Sequence, residues 1–214
     1  MNAKRILYIA LFCLVIAMLF RCEARSSRGY LEKRIGPKIS QVYPTKNVED
    51  LFEQYPYGFE INQFYRSGDK TIFIMLEGDA KGKPLEGAIK VFIKDSLKAE
   101  KIITFTYFQG KFSYDNEEEA RKLWPQEKFL FQEMTLNKEI LSEFKIKKTY
   151  YDSHSGGFDL EDIVTNEQIN QFLKLDNQQQ VTFGVHVNNV KRLNYYWISV
   201  EVGSDEIFSE KILH

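Results

Sequence analysis

Past Cys22 the chain contains no cysteine, and before it only Cys13. Residues 23–214 therefore form no disulfide, hold no thiolate-bound zinc and offer no cysteine nucleophile; a folded part delivered outside a cell must be stable by packing alone. Histidine is nearly as scarce, with only His154, His186 and His214. No two of them stand at i, i+4, so neither a metal nor a cofactor is expected. Excess positive charge is missing as well: the formal net charge is −1, which argues against a nucleic-acid partner, since phosphate recognition needs a concentrated basic face. Phosphate-loop and dinucleotide glycine patterns do not occur, nor does the Gly-x-Ser-x-Gly elbow of serine hydrolases.

Against these absences stands the first segment. Lys4 and Arg5 precede fifteen unbroken apolar residues, 6–20, and then Arg21-Cys22. A basic start followed by such a run has the form of an export signal. As a helix it would reach about 22 Å, short of a hydrocarbon core roughly 30 Å thick. Three fates are open to it. Acylation of Cys22 after removal of residues 1–21 is favoured by Leu19 three places earlier and opposed by the bulky Phe20-Arg21. Ordinary secretion would cut after Ala24, and an uncleaved signal would act as an anchor. Losing Lys4, Arg5 and Arg21 would take the formal charge from −1 to about −4.

Residues 22–40 read as an exposed tether with at most a short helix. From Thr45, placed to cap it, a helical pattern runs through Val48, Leu51 and Phe52. Three strands are predicted over 70–76, 88–94 and 102–108, then an exposed helix over 116–123 stopped by Pro125. Residues 129–135 could pair as a strand, and 140–146 are ambiguous. The opening scheme then recurs. Asp159 starts a helical pattern through Leu160, Ile163 and Val164, continued after Thr165 and Gln168 by Ile169, Phe172 and Leu173. Strands follow over 181–187, 196–202 and 207–213. The expected fold is α+β, with two helix-plus-antiparallel-sheet lobes, 41–138 and 139–214, as an αβββ duplication. Asn47-Val48-Glu49-Asp50-Leu51 beside Asp159-Leu160-Glu161-Asp162-Ile163 is its sequence trace.

Candidate chemistry is sparse. His154 lies in the polar loop Asp152-Ser153-His154-Ser155, His186 on the polar side of a strand, and His214 at the terminus; all three are expected as ordinary surface residues. A hydrolase would need His154 or His186 in a cleft, within hydrogen-bond reach of a carboxylate and a serine. Glu117-Glu118-Glu119 lacks the ligand alternation of a calcium loop and reads as a solvated helix face. Tyr55-Pro56-Tyr57 suits a partner-binding patch or a packed lid. No catalytic residue is expected, and the chain is expected not to be an enzyme.

Tyr43-Pro44-Thr45-Lys46-Asn47-Val48-Glu49-Asp50-Leu51, followed by Gly68-Asp69-Lys70 opening a strand, resembles the staphylococcal tandem lipoprotein family, in which YP-x-KN-(apolar)-EDL precedes GDK. The later order of segments, ending in Glu206-Ile207-Phe208-Ser209, is similar too. The resemblance implies a non-enzymatic surface lipoprotein of a Gram-positive bacterium, anchored in the cell membrane through acylated Cys22, with a role in host contact and immune stimulation and a host protein as partner. The alternative is a freely secreted protein-binding or toxin-like module.

Overall fold

The computed structural model describes residue 12 and residues 28–94, 96–152, 156–190, 193–204 and 206–214. The rest of the leader, Cys22 and His154 lie outside them. Within them the chain is α+β and dominated by one antiparallel sheet of ten strands. These are β1 (Phe59–Ser67), β2 (Lys70–Gly78), β3 (Leu85–Ile93), β4 (Lys101–Phe108), β5 (Lys111–Tyr114), β6 (Lys145–Tyr151), β7 (Phe158–Val164), β8 (Val181–Val190), β9 (Leu193–Val202) and β10 (Glu206–Leu213).

Two meanders, β1 to β5 and β6 to β10, meet where β1 pairs with β10, giving the order 5-4-3-2-1-10-9-8-7-6. The expected lobes therefore share a single sheet. One face is apolar at every second residue and buried: Ile74 and Leu76 on β2, Ile103, Phe105 and Tyr107 on β4, Phe183 and Val185 on β8, Ile198 and Val200 on β9. Short helices cover that face, namely α1 (Arg28–Ile39), α2 (Glu117–Leu123), α3 (Leu130–Glu133), α4 (Lys138–Glu143) and α5 (Glu167–Leu173), with a 3-10 turn over Val48–Glu53. Trp124, just past α2, is fully buried among the rings of Phe105, Phe112 and Phe129.

Several expectations are corrected. Residues 28–39 are helix, not tether, because Ile35 and Ile39 lie one turn apart and are both buried. This helix crosses α4 at Gly36, where a Cβ would stand 2.7 Å from the Cβ of Lys138. Residues 158–164 are strand: Phe158, Leu160, Asp162 and Val164 alternate inward, and this period of two wins over the helical spacing of Leu160 and Ile163. The expected repeat trace thus pairs a 3-10 turn with a strand. Residues 129–135 contain α3 instead of an extra strand. Asn47 and Asn166, not Thr45 and Thr165, occupy the N-cap positions, and only Asn166 caps with its side chain. β1, absent from the sequence expectation, is a central strand of the sheet.

Candidate functional site

Two polar constellations stand out, one on each face of the sheet. On the helix side, the alternation of β10 turns Phe208, Glu210 and Ile212 inward, placing a carboxylate at an apolar position. Gln63, the one polar residue among the inward positions Phe59, Ile61 and Tyr65 of β1, lies directly opposite it. Glu210 Oε1 accepts from the Tyr43 hydroxyl at 2.8 Å and from the Phe131 amide at 2.9 Å; Oε2 accepts from Gln63 Nε2 at 2.8 Å and from the Leu130 amide at 2.6 Å. The two amides are the free N–H groups that open α3, so the carboxylate caps that turn while tying it to mid-sheet. Burial pushes the Glu210 carboxyl up to about 7, against the four donors, which favour the ionised form. The Tyr43 hydroxyl is raised well above its ordinary value, first by burial and then by the Glu210 charge. Every carboxylate lone pair is used and the group is sealed from solvent, which makes it a fastening between elements.

Among the described residues, the helices that pack on the sheet lie on that first face, and the other carries exposed side chains. One row of residues crosses six strands on it: Asn62, Lys211, Trp197, His186, Asp159 and Tyr150. Trp197 is 42% exposed and its ring lies 4.8 Å from the imidazole of His186. The imidazole is held at both nitrogens. Nδ1 lies 2.8 Å from Asp159 Oδ1 on β7, and Nε2 lies 2.9 Å from Ser199 Oγ on β9. Strand register produces the geometry, since Asp159 faces His186 directly while Ser199 sits diagonally from it, opposite Gly184. Gly184 supplies the room. A Cβ there would stand 2.4 Å from Ser199 Oγ and 2.6 Å from His186 Nε2, so the imidazole lies over the glycine to reach the serine. In the tautomer with its proton on Nδ1, the ring donates to the carboxylate and Nε2 can accept from the hydroxyl. The side chains of His186 and Asp159 are 20% and 44% exposed, while Ser199 between the strands is buried.

Of the residues singled out in sequence, His186 has thus acquired the carboxylate and the serine, though on an open face and not in a cleft. His154 and Cys22 fall outside the described residues. His214 stacks on Tyr55 at 4.5 Å, and burial, then Lys38, lowers its pKa. Glu117, Glu118 and Glu119 pair with Arg121, Lys122 and Lys101 along α2 and β4, as a solvated face does. Tyr55 and Tyr57 part company, one buried and the other 98% exposed. A cavity of about 170 Å³ is lined by Leu173 and Leu175 and by Tyr65, Arg66, Val202 and Phe208. None of its lining residues belongs to the His186 trio.

Asp159 falls in a segment whose spacing reads as helix, and Ser199 stands among apolar residues of a strand with no flanking motif. Only the register of three strands brings them together. Among the described residues no group of three or more His, Cys, Asp or Glu side chains could hold a metal ion, and no helix is long and apolar enough to cross a membrane. Compared with family models and with curated proteins, the chain matches none.

Proposed function

We propose that the chain is an exported envelope protein of the staphylococcal tandem lipoprotein type, held at the outer face of a Gram-positive membrane by acylation of Cys22 and presenting its bare sheet face to a host protein. The observation that carries this reading is the start of the sequence: two cations, fifteen apolar residues and a cysteine immediately after the run. Two acyl chains would suffice for stable attachment, since each buried CH₂ contributes about 0.8 kcal/mol. The exposed Ile102, Phe108, Tyr150, Ile163 and Trp197 support a docking role, for they share the outward side of the sheet. We also read the two meanders as copies of one unit, aligned differently from the sequence trace: the 3-10 turn with β1 to β3, and α5 with β8 to β10.

Metabolic labelling with a palmitate analogue tests the anchor. Label in the wild-type chain that disappears in Cys22→Ala is the expected result. An unlabelled protein recovered from the medium and beginning at Arg25 would replace the anchored form by a secreted one.

A further inference from the structure

From the trio on the open face we propose that Ser199 is a nucleophile, activated by His186 and used in acyl transfer from carboxylic esters. This goes beyond the anchoring proposal, does not depend on it, and departs from the expectation that the chain has no catalytic residue. The connectivity is carboxylate to Nδ1 and Nε2 to hydroxyl, at 2.8 Å and 2.9 Å, contributed by three adjacent strands. Such a chain makes a serine hydroxyl reactive because the base accepts its proton as the new bond forms. Strands fix these positions more rigidly than loops would.

The glycine beneath the imidazole strengthens the inference. Residue 184 is covered by the His186 ring, and any larger side chain there would push Nε2 and Oγ apart. The local sequence therefore accommodates the serine–histidine contact specifically. Solvent reaches the imidazole and the carboxylate, and the Trp197 ring beside the imidazole offers an apolar platform for an acyl or leaving group. Ser199 is buried beneath the imidazole, so the substrate class is limited to small, reactive esters.

The reaction balances with water alone. Ser199 Oγ bonds to the ester carbonyl carbon while its proton passes to His186 Nε2. The tetrahedral intermediate expels the alkoxide, which takes that proton and leaves as the alcohol. Water, deprotonated by the same nitrogen, then attacks the acyl-serine; acid is released and the serine hydroxyl restored. Asp159 touches no reacting atom and acts as a positioning residue, fixing the tautomer and the ring orientation.

The test is covalent labelling of the purified full chain with a fluorophosphonate probe, read by peptide mass spectrometry, alongside hydrolysis of p-nitrophenyl acetate. The expected result is an adduct on Ser199, abolished in Ser199→Ala and slowed about 10²-fold or more in His186→Gln. Circular dichroism and thermal melting of each variant establish that it is folded. In Asp159→Asn, labelling falls together with loss of the low-field Nδ1 proton resonance of His186, a signature that a merely structural contact to Ser199 would not couple to reactivity. No adduct on Ser199 in the folded wild type, an adduct only on other residues, or equal labelling in folded His186→Gln would each overturn the proposal.

Discussion

Tyr43 and Glu210 are 167 residues apart in sequence, yet the tyrosine hydroxyl donates to the carboxylate at 2.8 Å in the interior. The contact joins the segment following α1 to the strand that closes the sheet, and Gln63 and the start of α3 meet at the same carboxylate.

Truncation at this point is expected to be severe. Glu210→Ala strands four buried donors and opens a cavity, and a loss of roughly 3–5 kcal/mol in urea denaturation is the expected outcome. Glu210→Gln keeps the shape and one acceptor oxygen and should lose less, about 1–3 kcal/mol.

The same carboxyl makes stability depend on pH in a definite direction. Its native value is raised to about 7 from 4.5, so the folded state binds the proton more tightly than the unfolded chain does. Its stabilising contribution is complete below about 4.5 and is lost as pH rises through about 7, by on the order of 3 kcal/mol. The wild-type urea midpoint minus that of Glu210→Gln, followed from pH 4.5 to 8, should fall across this window. A flat difference would refute the assignment.

Two glycines lie beneath rings, and the same substitution should separate them. At Gly87 a Cβ would stand 2.4 Å from the Phe105 ring and 2.7 Å from the Met75 carbonyl oxygen, and neither a packed ring nor a backbone oxygen can yield. Gly87→Ala should cost about 2–3 kcal/mol. At Gly184 the nearest atoms are the ends of the Ser199 and His186 side chains, which can swing away. Gly184→Ala should remain folded, within about 1 kcal/mol of wild type, while losing the His186–Ser199 hydrogen bond in nitrogen-15 spectra of the imidazole.

Helix α1 belongs to the folded body. Ile39→Ala, at a fully buried site, should lower stability by about 2–4 kcal/mol in thermal or urea unfolding. An exposed tether would show no change.

What the sequence discloses here depends on how far the signal travels. Strands such as 88–94 and 102–108 are legible because apolar and polar residues alternate cleanly, and the helix over 116–123 because its cap and its stop are local. β1 escapes notice because Gln63 breaks its apolar side while Phe64 adds a ring to the other. β7 is mistaken for helix because Leu160, Ile163 and Val164 fit a helical spacing as well as Leu160 and Val164 fit a strand. His186 is visible as a polar strand residue. Its partners come from β7 and β9, so the trio is a property of register between strands and not of any segment alone. Glu210 offers a fainter clue, a carboxylate at an apolar beat of a strand, meaningful only once β1 is known to lie beside it.

The strand that joins the two meanders follows every other strand of the sheet in the chain. Made from the amino end, the chain before β10 would form two half-sheets with raw borders at β1 and β9, each able to recruit a stray strand. Only when the final eight residues of strand arrive can they slot between and close the gap. A frameshift or protease nick there would not trim a loose tail; it would unzip the molecule down its middle.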